Sequence, residues 1–294
     1  AQWRPRAAAA AALGAICGTA GAVMLAILGR GGPDEADGFV SFPEALGAAA
    51  AGTEPGEPSM FVGQVDHLGD RVVPLTTASV LAALGILGAL LALTYLFRAA
   101  RARMPEIGRA VGWSIAAALA IYPLGVLLSQ VGSWIAFADF ADASERTAAA
   151  AKDLRTEGVA GAGLLLETLG AFAFALSFVL VSLNAMRVGL LTRFMGILGV
   201  IVGALAIFQL DAPQVVRGVW LIFLGLLISG RYPGGNPPAW ETGRAEPWPS
   251  QQQLRERREA LRAEHRADEP AGEPEEEPAA KPHPQSKKKK KKRR

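Results

Sequence analysis

Residues 158–186 read GVAGAGLLLETLGAFAFALSFVLVSLNAM, an apolar run with one carboxylate, Glu167, set inside it. A helix rises about 1.5 Å per residue and the hydrocarbon core of a bilayer is about 30 Å thick, so this run spans with length to spare. Gly163, Gly170, Ser177 and Asn184 recur every seven residues, and Glu167, Phe174 and Val181 fall between them on the same stripe. A seam of small and polar side chains at that spacing packs against other helices rather than lipid. Glu167 is therefore expected to look into a helix bundle.

The rest of the chain agrees with membrane residence. Of its 294 residues 51% are hydrophobic and only 19% charged, and the net charge of +3 hides a strong segregation of charge along the chain. Hydropathy marks six spans, at about 7–28, 75–97, 110–136, 158–186, 194–210 and 215–230. The last two are near the lower limit of about 17 residues for a crossing. They read as a helical hairpin turning at Asp211, Ala212, Pro213 and Gln214. The expected fold is all-α: a six-helix transmembrane bundle over residues 1–231, a Pro/Gly/Trp strap over 232–249, a short charged cytoplasmic helix over 250–268 and a disordered tail over 269–294.

Orientation follows from the basic residues. Arg4 and Arg6 precede span 1, Arg98, Arg101, Arg103 and Arg109 lie between spans 2 and 3, and Arg187 and Arg193 lie between spans 4 and 5. The alternate loops are acidic: residues 30–74 hold eight acids against Arg30 and Arg71, and residues 137–157 hold five against three bases. This places both termini in the cytoplasm. Span 1 has the arginines of a signal peptide, but its apolar run of about 22 residues exceeds the usual 7–15, and it reads as an uncleaved helix. Its Gly14 and Gly18 form a GxxxG pair that permits close helix approach, with Cys17, the only cysteine, as a filler.

Few residues offer chemistry. In the first external loop Ser41, Pro43 and Glu44 open a short helix. Asp66, His67 and Asp70 near span 2 read as a solvated turn, too few ligands for a metal. Pro123 bends span 3 in mid-membrane, as a broken helix beside a substrate path or as a static kink. Glu167 is costly in hydrocarbon unless protonated or paired, and Gln130, Ser133 and Arg217 are its candidate partners. It is either a proton or cation site, or an acid that hydrogen-bonds across the bundle. With no second titratable group beside it, it forms no relay.

No span contains a histidine, and HExxH, CxxC, GxxxxGK[ST] and paired intramembrane aspartates are all missing from the sequence. No catalytic residue, cofactor or metal is therefore assigned, and the chain reads as no enzyme.

Beyond span 6 comes RYPGGNPPAWETGRAEPWPS, where Tyr232 and Trp240 suit the headgroup zone as interfacial anchors. The stretch VSLNAMRVGLLTRFMGILGVIVG (181–203), with GRYPGGNPPAWETGRAEPWPSQQQLRE (230–256), resembles a group of uncharacterised bacterial polytopic membrane proteins that also end in basic tails. The resemblance covers about residues 158–256. It implies a topology and no activity.

Ser250 and Gln253 cap the charged helix. Residues 269–286 are rich in Glu, Pro and Ala, a composition that does not fold. Lys287, Lys288, Lys289, Lys290, Lys291, Lys292, Arg293 and Arg294 then form an unbroken positive run. Anionic lipid headgroups are its expected partners, at about 1 kcal/mol per basic residue. Nucleic acid or a ribosome is the alternative, although no aromatics interleave the lysines for base stacking. The GxxxG pairs permit a homo-oligomer.

Three functions stay open: a structural or accessory membrane component, a small proton- or cation-coupled transporter using Glu167, and a ribosome-tethering or insertase-like factor. The last wants a positive residue inside the membrane, and no span is expected to hold one at depth.

Overall fold

A computed structural model describes residues 3–29, 50, 67–142, 158–208, 214–233, 235–247, 255 and 258–262. Among them every regular element is helical. Of the expected helix that Ser41, Pro43 and Glu44 open, only residue 50 is described, and it is helical; the turn at Asp211, the cap at Ser250 and the polybasic end lie outside the described residues. Two compact units divide the chain, residues 1–248 and residues 249–294. In the second, residues 258–262 are helical and exposed.

In the first unit the helices are α1 (Trp3–Leu28), α2 (Val72–Arg103), α3 (Arg109–Asp142), α4 (Gly158–Arg187), α5 (Arg193–Ile207), α6 (Val215–Ser229) and a single turn, α7 (Ala239–Thr242). The first four are long and apolar enough to cross a membrane. Helices α5 and α6 have 15 residues each. That is about 22 Å of rise, short of the hydrocarbon thickness.

Small residues decide how these helices meet. Along α3 and α4, Tyr122 faces Gly170, Gly125 faces Glu167, Ser129 faces Gly163 and Gly132 faces Ala160. One antiparallel register joins all four pairs, and the hydrogen bond from Ser177 to Ser114 at 3.2 Å continues it. A Cβ on any of these glycines would collide with the neighbouring helix, so only glycine lets the two axes come this close. The stripe read from the sequence of span 4 is this contact. Gly170, Phe174, Ser177 and Val181 are buried, while Asn184 is half-buried and donates to its own helix at Leu180 O.

A second antiparallel seam joins α1 and α2, where Gly14 meets Gly88 and Ala89, Gly18 meets Gly85, and Gly21 meets Ala78 and Ala82. Helix α5 folds back on α4 through Gly196, Gly199 and Gly203, which lie on Met186, Ser182 and Val179. Helix α6 runs antiparallel to α1, with Gly218 on Thr19 and Gly225 on Ala8 and Ala11. Both GxxxG pairs are thus occupied by helices of the same chain.

Outward faces remain apolar. On α4, Leu165, Leu169, Phe172 and Leu176 are all half or more exposed, and Trp113, Leu91, Phe194 and Ile222 project likewise from other helices. So large an apolar surface on a single chain matches a lipid environment.

At the arginine end the chain after α6 is tied to several helix ends. Trp240 Nε1 donates to Leu190 O at 2.8 Å, and Glu246 N donates to Val188 O at 3.0 Å. Arg103 donates from Nε and Nη2 to Ala239 O at 3.0 and 2.8 Å, and Arg4 Nε donates to Ile228 O at 3.1 Å. Gly189, at φ +80°, makes the turn between α4 and α5, and a Cβ there would strike the carbonyl of Glu246.

Candidate functional site

Three helices bring polar groups together, with Arg217 buried and Tyr122 and Glu167 half-buried. Tyr122 comes from the middle of α3, Glu167 from α4 and Arg217 from the third position of α6. The charges of Glu167 and Arg217 both act on the Tyr122 hydroxyl, which accepts a hydrogen bond from Arg217. The guanidinium carbon of Arg217 also lies 5.2 Å from the centre of the Phe174 ring, a cation–π distance. Arg217 is only 7% exposed, so a cation stands buried among the helices near the start of α6, the end of span 6 at which the sequence placed it. Its burial escapes a sequence reading because α6 begins only two residues earlier, at Val215, where a helix end is expected to be open.

Rings carry the contact onward. Tyr122 meets Phe174 edge-on at 5.5 Å between centroids, Phe174 meets Phe178 at 5.0 Å, and Phe178 meets Trp220 at 5.0 Å. The Trp220 indole donates to Met195 O at 2.8 Å, which joins α6 to α5. Toward the start of α6, Gln214 and Arg217 flank Gly18 of α1. The Gln214 backbone is left-handed, at φ 55°.

The other sequence candidates sit elsewhere. Gln130 accepts a hydrogen bond from Ser79 Oγ at 2.8 Å, a tie between α2 and α3. In the α3–α4 register it lies more than a turn beyond Gly125, the residue that faces Glu167. Ser133 donates to Ser129 O of its own helix at 2.8 Å. Pro123 is buried, and α3 runs through it as one helix. Of the partners named for Glu167, Arg217 acts with it on Tyr122. Tyr122 was missed, although its place directly before Pro123, opposite a glycine of span 4, was the available signal.

Tyr232 packs edge-on against Phe223 at 6.2 Å. Trp240 stacks on Tyr95 at 6.3 Å with Arg4 and Arg103 over its ring, so its contacts are with the bundle itself. His67 contacts Arg71, and Asp66 lies outside the described residues. Among the described residues no three potential ligands gather to hold a metal.

No protein-family model, no curated protein and no solved structure matches this chain.

Proposed function

We propose that the chain is a six-span protein of the bacterial plasma membrane, with both termini cytoplasmic, acting as a non-enzymatic structural or accessory component. What carries this reading is how its internal polar groups are used. Ser79 bonds Gln130, Ser177 bonds Ser114, Trp220 bonds Met195 and Arg217 bonds Tyr122, each joining two helices. Bonds of this kind hold membrane bundles together at about 0.6–2 kcal/mol apiece. Helices α5 and α6 complete the six spans as a hairpin, crossing by local thinning of the bilayer around them. The arginine-bearing end faces the cytoplasm, and residues 287–294 then meet anionic lipid of the inner leaflet. The bacterial polytopic group that residues 158–256 resemble fits this topology.

A second reading, a small proton- or cation-coupled transporter, is favoured by one observation. Glu167 does not stand alone, because the Tyr122 hydroxyl feels both it and Arg217. Reconstitution separates the two. On the accessory reading, proteoliposomes carrying the wild type or E167Q pass no more protons or potassium than protein-free vesicles. Flux through the wild type that is lost in E167Q establishes the transporter instead.

A further inference from the structure

Two tryptophans at the arginine end each have a pair of guanidinium groups over the ring, and the two clusters differ. Around Trp240 the pair is Arg4 and Arg103, and both are committed to backbone carbonyls, at Ile228 and Ala239. Around Trp3 the pair is Arg6 from α1 and Arg98 from α2, at 6.0 and 5.9 Å from the ring centre. Trp3 is 60% exposed and both arginines are exposed. Among the described residues no carbonyl or carboxylate accepts from either one. Two like charges thus converge on one indole across the α1–α2 seam.

The surface next to this pair is apolar and continuous in direction. Leu13 stands two turns beyond Arg6 on the same face of α1, and is 46% exposed. On α2, Leu91 and Leu84 stand two and four turns before Arg98, at 50% and 39% exposure. A cationic pair at one end of an exposed apolar strip has the two halves of an anionic phospholipid: a headgroup phosphate and an acyl chain. Guanidinium forks match phosphate oxygens bidentately, and an indole is at home at headgroup level. A free phosphate would use the arginines and leave the strip idle.

We infer that Trp3, Arg6 and Arg98 form a site for the phosphate of an anionic phospholipid, whose acyl chain lies along Leu13, Leu91 and Leu84. The site rests on the membrane reading above and is built from residues of α1 and α2 alone. Its test uses the full-length chain in neutral detergent, with residues 287–294 changed to glutamine so that tail binding does not intrude. Native mass spectrometry reads retention of dioleoylphosphatidylglycerol against dioleoylphosphatidylcholine.

The expected result is about tenfold tighter retention of the glycerol lipid, abolished in R6Q/R98Q and partly kept in R6K/R98K. Equal retention of both lipids, or an unchanged preference in R6Q/R98Q, overturns the site. Displacement of the lipid by millimolar inorganic phosphate also overturns it, in favour of a free-anion site. Circular dichroism checks that the helices persist. Should the double variant unfold, R98Q alone is expected to lose about threefold, and no loss there is equally fatal. A chain that fails to fractionate with membranes sinks the membrane reading, whereas an inserted chain indifferent to headgroup charge sinks only this site.

Discussion

The α1–α2 and α3–α4 seams solve one geometric problem with different chemistry. Both run antiparallel, and in both a glycine on one helix faces backbone on the other. Between α1 and α2 the glycine contact is made of Gly14, Gly18 and Gly21 against Ala78, Ala82, Gly85 and Gly88, and along it shape fixes the approach. Between α3 and α4 the same spacing also carries Tyr122, Glu167, Ser114 and Ser177. Without a hydrophobic drive between helices in lipid, close packing and polar ties are the available forces. The first seam relies on packing along its glycines, with the Arg98–Trp3 contact at one end, and the second adds polar groups that reach α6 through Arg217. A polar group there costs more to orphan than to include, which makes the second seam the more specific and the more fragile of the two.

Mutations that break this contrast rank by size. Arg217→Met removes the cation acting on Glu167's surroundings and the donor to Tyr122, and it should cost about 3–5 kcal/mol in reversible unfolding from mixed micelles. Adding E167Q should recover part of that loss, a non-additivity that a double-mutant cycle detects. Gly85→Ala and Gly125→Ala each force a Cβ onto backbone that cannot retreat, so each should cost about 2 kcal/mol. Equality of the two would show that close approach is worth the same in both seams; a much cheaper G85A would mean that the first seam yields. Tyr122→Phe keeps the ring on Phe174 and loses only the hydroxyl, for about 1 kcal/mol. Smallest is Ser177→Ala, at about 0.6 kcal/mol, with chemical denaturation of the same micelles as the measurement.

Much of this fold could be read from hydropathy and spacing. The heptad of small residues in span 4 pointed to its packing face because a helix of this kind must turn its small side chains toward neighbours. The four long helices begin and end within a few residues of the apolar runs, apart from the polar turns that extend α1, α2 and α3 at their ends. The cluster around Tyr122 was less legible. Burial of Arg217 depends on α6 lying between α1 and the aromatic column of α4, which is long-range packing that no local pattern encodes. Gln130 and Ser133 looked equally suitable from their depth, but register sets the partner. A shift of a turn or more along α3 delivers Gln130 to Ser79 of α2 and away from Glu167. The role of Trp240 was read from its amphipathic character alone, and its stacking on Tyr95 with Arg4 and Arg103 over the ring needed the folded end of the bundle.

The central claim is that Glu167 lies within the membrane bundle while the arginine-bearing end faces the cytoplasm. Reagent accessibility tests it directly, because Cys17 is the only cysteine to remove. In a C17A background, E167C and E106C, the latter in the exposed loop between α2 and α3, are challenged with a membrane-impermeant maleimide in cells before and after permeabilisation. The account predicts that E106C labels only after permeabilisation and that E167C stays at least about tenfold slower in both conditions. Labelling of E167C as fast as E106C, or of E106C from outside intact cells, would contradict it.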